Sequence, residues 1–165
     1  MSFFRGDYID MNNLKYINTF SHATGDKAIE AVVHFLDDLV KTEPYAVTAR
    51  LKTAGDEFGI VSIFQNEASQ VQFYEKLKKP LEISRSKTKT ISITLSAGVS
   101  FCDCSDPVEF SSIMDHADKV LEKVKNTIPC DIKTKQGTEY RVKSRSDFKT
   151  ARFPKDKKKP VNGAS

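Results

Sequence analysis

The 165-residue sequence has no tryptophan and contains only three cysteines, six prolines and seven glycines. No run of apolar residues is long enough to cross a membrane as a helix. The N-terminus is not typical of a signal peptide, because the apolar pair Phe3-Phe4 is short and Arg5 follows at once. These absences argue against a helical membrane protein and a secreted one. They predict a cytoplasmic protein with no membrane partner.

The cysteines argue against a disulfide framework. Their number is odd, and Cys102 and Cys104 are only two positions apart. The Cys102-Asp103-Cys104 segment lacks the two-residue spacer that is usual in zinc and redox pairs, and no histidine cluster lies near it in the sequence. Reduced, structural thiols are therefore predicted.

The charge is distributed unevenly along a chain whose length fits one domain. The formal net charge is +4, but the segment from Arg141 to Lys159 has nine basic and two acidic residues, so the remainder carries −3. We predict a globular domain over residues 1–143 and a basic, flexible C-terminal tail over residues 144–165. A solvated tail is one reading, and weak, salt-dependent nucleic-acid contact is the other.

The hydrophobic pattern alternates between a strand period and a helix period. It predicts an α+β fold, in which a mostly antiparallel central sheet is flanked by helices. Predicted strands cover residues 3–10, 45–52, 58–64 and 89–101, with a strand or hairpin over 130–143 that turns at Gly137. Predicted helices cover residues 14–20, 26–41, 66–77 and 109–124.

Three acidic residues stand out against this pattern. Asp10 ends the first strand, whereas Asp56 and Glu57 follow Ala54-Gly55 at the tip of the predicted hairpin. If these strands are neighbours, the three carboxylates converge at one edge of the sheet. Carboxylate oxygens of this kind suit Mg²⁺ or Mn²⁺, which also bind substrate phosphates. A turn or a helix cap is the structural alternative for Asp10.

Four segments, in this order, resemble the motifs of GGDEF-domain diguanylate cyclases over about residues 3–130. They are Asp10–Asn18 with Ser21-His22 and Gly25-Asp26, Ala54–Phe58, Ser96–Val99, and Ala117–Leu121 with Val124-Lys125. The resemblance implies a fold like the palm of nucleotidyl cyclases. It also implies the condensation of two GTP molecules into cyclic di-GMP, with release of pyrophosphate. Each domain would hold one GTP, so catalysis would need a homodimer or a partner that supplies a sensor.

The same resemblance implies roles for individual residues. The Mg²⁺ or Mn²⁺ ions would be held by Asp10, Met11, Asp56 and Glu57, and the three acids would be catalytic. Nucleotide binding would involve Asn13, Leu14, Lys15, Asn18, His22, Asp26, Gly55 and Lys125. Of these, Asn18 and Asp26 would read the guanine edge, and Lys125 would reach the terminal phosphates. The ordinary structural readings are a helix N-cap for Asp26 and a helix C-terminal charge for Lys125.

The sequence also departs from the family pattern. Ala54 replaces the usual first glycine of the signature, Thr19 replaces an aspartate, and the Gly-Arg expected after Lys125 is missing. An inhibitory Arg-x-x-Asp site is absent, since Tyr45 and Thr48 take its places. These features leave a second function open, that of a regulatory module that binds GTP or a cyclic dinucleotide without turnover.

Overall fold

The computed structural model describes residues 2–51, 56–65 and 67–155. The strands are β1 (Phe3–Met11), β2 (Ala46–Arg50), β3 (Glu57–Phe64), β4 (Leu81–Ser84), β5 (Thr90–Ile93), β6 (Leu95–Asp103), β7 (Cys130–Lys135), β8 (Thr138–Lys143) and β9 (Asp147–Arg152). The helices are α1 (Leu14–Ile17), α2 (His22–Lys41), α3 (Glu67–Lys78) and α4 (Phe110–Lys125).

The central sheet has the strand order β2-β3-β1-β6-β9. Its pairs are antiparallel except for β6 and β9, which run parallel. Two separate hairpins, β4-β5 and β7-β8, lie beside it. The prediction of an α+β fold with a mostly antiparallel sheet and flanking helices is therefore confirmed.

Helices cover both faces of the sheet. On one face, Ile9 packs in the main core with Val32 of α2 and Phe73 of α3. On the other face, α4 lies so close to Gly98 that a β-carbon there would collide with the backbone of Ala117 and Leu121. This contact requires glycine on β6 and fixes the height of α4 above the sheet.

The β1 strand buries an ion pair in the main core. Arg5 and Asp7 are both fully buried, and the guanidinium Nε lies 2.7 Å from the Asp7 carboxylate. The Arg5 guanidinium also lies over the rings of Phe64, Phe73 and Tyr74, at 4.2 to 4.6 Å from their centroids. Burial raises the pKa of Asp7, and the charge of Arg5 opposes that rise.

Two predicted boundaries are wrong. Helix α2 begins at His22 rather than at Asp26, because the Ser21 side chain caps it by accepting a 3.0 Å hydrogen bond from the Thr24 N–H. Asp26 is therefore not the N-cap. The single strand predicted over residues 89–101 is in fact two strands, β5 and β6. They are separated by Thr94 and belong to different sheets.

The C-terminal region contains a strand that the pattern did not predict. Asp147–Arg152 forms β9 and pairs with β6 from Ser96 to Phe101. The prediction of a flexible tail from residue 144 is thus wrong for β9. Residues 156–165 lie outside the described part of the chain, so the reading of that segment stays a prediction.

Among the described residues, no helix is long and apolar enough to span a membrane.

Candidate functional site

The backbone brings the three predicted acids to one edge of the sheet. Asp10 on β1 lies directly opposite Glu57 on β3. One residue further, the Met11 N–H donates a 2.9 Å hydrogen bond to the carbonyl oxygen of Asp56. The predicted adjacency of the first strand and the hairpin is confirmed, and it places an acid on each side of this junction.

The side chains do not form a ready three-carboxylate cluster. Asp10 Oδ2 lies 2.7 Å from the ammonium of Lys125, at the last turn of α4. Glu57 Oε2 accepts a 2.7 Å hydrogen bond from the Tyr8 hydroxyl. Within the described ranges, no group of three histidine, cysteine, aspartate or glutamate side chains is placed to hold a metal. The three acids thus lie at one edge of the sheet, as predicted, but Asp10 and Glu57 are each engaged by another side chain.

The electrostatics of Asp10 nevertheless favour a cation. Burial raises the pKa of Asp10; Lys125 lowers it, and the charges of Asp56 and Glu57 raise it further. Asp10 Oδ1 is buried and has no hydrogen-bond partner among the residues that the structure describes. A buried carboxylate oxygen without a donor retains free lone pairs, so the donor set fits a hard divalent cation.

Lys125 is held at the site by this same carboxylate. Burial lowers its pKa, but the hydrogen bond and the charge of Asp10 more than offset that effect, so the net pKa is raised. Lys125 therefore remains protonated and lies beside the metal-binding candidate as a fixed positive charge. The sequence associated this lysine with phosphates but did not indicate its contact with Asp10.

The segment after β1 is fixed by a polar network that the sequence analysis missed. Asn12 is buried, and its side chain donates to Thr94 Oγ1 at 3.0 Å and accepts from the Ser96 hydroxyl at 2.7 Å. Asn13 has a left-handed backbone with φ of 68°. Asparagine tolerates this conformation better than most residues. An Asn-Asn pair directly after a buried strand was the signal that the sequence offered for this network.

The residues expected to read the base lie where α1 ends and α2 begins. Asn18 is the C-cap of α1, and its side-chain oxygen occupies the space in which a β-carbon of Gly25 would lie. His22 and Asp26 are exposed on the first turns of α2. The close packing of Asn18 on Gly25 places Asn18 beside the next residue, Asp26. This structural contact explains the glycine inside a helix.

Replacing Gly25 with alanine separates stability from this contact. We expect the free energy of unfolding to change by no more than about 1 kcal/mol, because the greater helix propensity of alanine opposes the cost of moving the Asn18 side chain. The new methyl group must displace the Asn18 side chain, so if Asn18 reads the guanine edge as the resemblance implies, GTP affinity should fall by about tenfold. Chemical unfolding and calorimetric titration measure the two effects. The exposed substitution Glu30→Ala is the control, and unchanged GTP affinity in Gly25→Ala would contradict the role of Asn18.

Gly55 and the neighbouring Ala54 lie outside the described residues. Their predicted contribution to nucleotide binding stays a prediction.

The part of the chain that contains this site matches a known protein family. The family model described as "Diguanylate cyclase, GGDEF domain" matches residues 8–128. Among curated proteins no significant match was found. The matched residues include the sheet edge at Asp10 and Glu57, α1, and Lys125.

Solved structures show the same fold at low sequence identity. The GGDEF domain of DgcB from Caulobacter crescentus, in complex with c-di-GMP, is 23% identical with a TM-score of 0.61; the match covers 76% of this chain and 73% of that one. Diguanylate cyclase SiaD of Pseudomonas aeruginosa, in complex with its activator SiaC, is 18% identical with a TM-score of 0.66, covering 90% and 50%. The active GGEEF domain of a Vibrio cholerae diguanylate cyclase is 19% identical with a TM-score of 0.59, covering 93% and 84%. This chain thus spans half of the SiaD chain that it matches.

Proposed function

Because this chain belongs to the GGDEF domain family, we propose that it is a diguanylate cyclase that condenses two GTP molecules into cyclic di-GMP and releases pyrophosphate. The observation that carries the proposal is the sheet edge at Asp10. There a buried, unpartnered carboxylate oxygen lies beside a fixed lysine and opposite Glu57. Two acids and a lysine in this arrangement suit the recognition of a metal-bound triphosphate.

The proposed ligands of Mg²⁺, or of Mn²⁺, are Asp10, the Met11 carbonyl oxygen, Asp56 and Glu57. When bound, the metal neutralises phosphate charge and makes the attacking hydroxyl more acidic. Tyr8 orients Glu57 through its 2.7 Å hydrogen bond. Burial and the neighbouring Glu57 raise the pKa of Tyr8, so Tyr8 stays a hydrogen-bond donor at neutral pH.

The chain's own residues then bind and orient the nucleotide. Lys125 places its ammonium at the terminal phosphates, where charge accumulates as pyrophosphate leaves. The segment Asn13–Lys15 contributes backbone N–H groups, since the first N–H groups of a helix have no partner within it. Asn18 and Asp26 accept or donate hydrogen bonds at the guanine edge, with His22 supporting the loop between them. Two such domains must face each other, so we propose a cytoplasmic homodimer, or assembly by a partner that supplies a sensor.

Product analysis tests this function. Purified protein is incubated at high concentration with radiolabelled GTP, ATP or both, in the presence of Mg²⁺, Mn²⁺ or a chelator. We expect cyclic di-GMP from GTP only, and only with metal. A mixed or adenine-containing product would contradict the proposed reading of the base by Asp26. If GTP binds but no product forms, the proposed enzymatic activity is wrong.

The second candidate function is that of a regulatory module without turnover. Lys125 already occupies Asp10 Oδ2 at 2.7 Å, so a cation must compete with a charge of the same sign. In that case GTP or cyclic di-GMP binds and no product forms. Contact of the basic residues 156–165 with nucleic acid remains a separate prediction, which salt-dependent DNA binding would test.

Stabilisation by Mg²⁺ should depend on pH. Because burial and the nearby acids raise the pKa of Asp10, the stability that Asp10 contributes is lost as pH rises through that pKa, when the buried carboxylate becomes charged. A bound cation offsets that charge. Mg²⁺ should therefore raise the melting temperature more at a pH above the pKa of Asp10 than at a pH below it. Thermal unfolding with and without Mg²⁺ measures the difference, which Asp10→Asn should remove. Equal stabilisation at both pH values would contradict it.

A further inference from the structure

The β7-β8 hairpin lies beyond the family-matched residues, which end at 128. It pairs with itself and not with the central sheet. Three contacts nevertheless join it to the segment from Asn13 to Phe20, which carries the proposed phosphate-binding and base-binding residues. Each contact involves a different type of interaction, and together they cover the whole segment.

The first contact is a two-hydrogen-bond clamp at Asn13. The Asn13 carboxamide oxygen accepts from the Lys143 N–H at 2.7 Å, and its Nδ2 donates to the Lys143 carbonyl at 3.0 Å. A side-chain amide here pairs with the last residue of β8 in the way that a neighbouring strand would. The backbone N–H and the carbonyl oxygen of Lys143 both have a hydrogen-bond partner as a result, which makes the pairing specific.

The second contact joins two aromatic rings, and the third places an ammonium group over an aromatic ring. The rings of Tyr16 and Tyr140 lie 5.7 Å apart between centroids, and the ammonium of Lys135 lies 3.4 Å from the centre of the Phe20 ring. Tyr140 precedes Lys143 on β8, and Lys135 comes at the turn of the hairpin. Strand β8 therefore runs antiparallel to the segment. The end of β8, at Lys143, contacts the phosphate-binding end of the segment, and the turn of the hairpin, at Lys135, contacts the base-binding end.

The clamp connects to the polar network beneath the site. The Lys143 carbonyl also accepts from Thr94 Oγ1 at 3.5 Å, and Thr94 accepts in turn from Asn12. The left-handed Asn13 is thus bonded to the end of β8, and its neighbour Asn12 is bonded to Thr94, which directly precedes β6. Without these bonds a left-handed asparagine is only one of several accessible conformations.

We propose that the β7-β8 hairpin positions the nucleotide-binding segment, and that Asn13 is a positioning residue that acts through the backbone of Lys143. The proposal rests on the proposed function, because it assigns the hairpin to the same nucleotide. Asn13 fixes the phosphate end, and Tyr140 supports α1 at the middle. The hairpin thus completes a site whose other residues all lie within the family-matched part.

The test uses substitutions that isolate each contact. Asn13→Gly keeps access to the left-handed conformation but removes both hydrogen bonds. Tyr140→Ala removes the ring, whereas Tyr140→Phe keeps it. Ile132→Ala is the matched control, because Ile132 is 56% exposed and its partner on β8 is Arg141, next to Tyr140 and therefore on the opposite face of the hairpin.

Two measurements are made on each full-length variant. Calorimetry gives the GTP affinity in the presence of Mg²⁺, and hydrogen exchange gives the protection of amides 13–20 without nucleotide. We expect Asn13→Gly and Tyr140→Ala to weaken GTP binding by about tenfold and to speed exchange in that segment. Tyr140→Phe and Ile132→Ala should match the wild type. Where turnover is measurable, KM should rise while kcat changes by less than about twofold.

The outcomes separate the two proposals. Wild-type affinity and wild-type exchange in Asn13→Gly and Tyr140→Ala would overturn the positioning role. Exchange that speeds up equally across the whole chain would also overturn it, since that result indicates general destabilisation. Failure of the wild type to bind GTP would overturn the proposed function, and the exchange of residues 13–20 would still decide whether the hairpin holds the segment.

Discussion

Replacing Asp10 with asparagine should reduce cyclic di-GMP formation by about a thousandfold, comparable to or greater than the loss of a key charge-stabilising group in other enzymes. The substitution keeps the size of the side chain but removes its negative charge. Asp10 is the group that holds Lys125 at 2.7 Å and carries the buried, unpartnered oxygen. Without that charge, Lys125 loses its partner at the sheet edge, and the proposed divalent cation loses one of its ligands.

The measurement is product formation per mole of protein at saturating GTP and Mg²⁺. Asp38→Asn provides a matched control, because Asp38 is 78% exposed on α2 and pairs loosely with Lys41. Its activity should equal that of the wild type. Asp56→Ala should resemble Asp10→Asn if Asp56 shares the metal. An Asp10→Asn protein that retains more than about a tenth of the activity would show that the chemistry does not depend on this carboxylate.

Replacing Asp7 with alanine should lower the free energy of unfolding by about 3–5 kcal/mol. The loss is large because the fully buried guanidinium of Arg5 would remain without a counter-charge. Both hydrogen bonds that it now donates to Asp7, at 2.7 and 2.8 Å, would disappear. The rings of Phe64, Phe73 and Tyr74 would retain some attraction for the cation, about 2 kcal/mol for a desolvated cation–π contact, but they replace neither the counter-charge nor the two hydrogen bonds.

Denaturant unfolding followed by circular dichroism measures this cost. The double replacement of Arg5 by Met and Asp7 by Leu is the informative comparison. It removes both charges and restores apolar packing, so its stability should lie within about 1–2 kcal/mol of the wild type. If Asp7→Ala costs less than about 1 kcal/mol, the guanidinium has reached water and the pair is not confined as described.

The sequence predicted the elements whose residues alternate cleanly. Strand β1 and the β2-β3 hairpin were predicted from apolar alternation, and their pairing puts Asp10 opposite Glu57 as expected. Helix α4 followed from its apolar stripe, which also located Lys125 near its end. The local sequence pattern could not predict which side chains contact each other across the fold. The ion pair of Asp10 with Lys125 joins positions 115 residues apart in sequence.

The misses have physical causes. In β9, Phe148 is the only aromatic residue among charged and small ones. An edge strand needs little apolar surface, so its sequence resembles that of a solvated tail. The segment was therefore predicted to be part of the tail. Arg5 and Asp7 lie on the predicted first strand, but the pattern did not indicate that both charges are buried, since burial of a charge depends on a partner, here two residues away. Gly25 precedes the helix predicted from residue 26, whereas in the structure it lies inside α2 with the Asn18 side chain packed against it.

The parallel pairing of β9 with β6 affects how the family-matched region would behave alone. A chain ending at residue 128 would retain β6 but lose the strand that covers its outer side. The exposed row of N–H and C=O groups along Ser96–Phe101 would then offer a template for strands of other molecules. Such a fragment would be prone to self-association, although each of its motifs is intact. The solubility of this domain therefore depends on residues that carry no signature of its family.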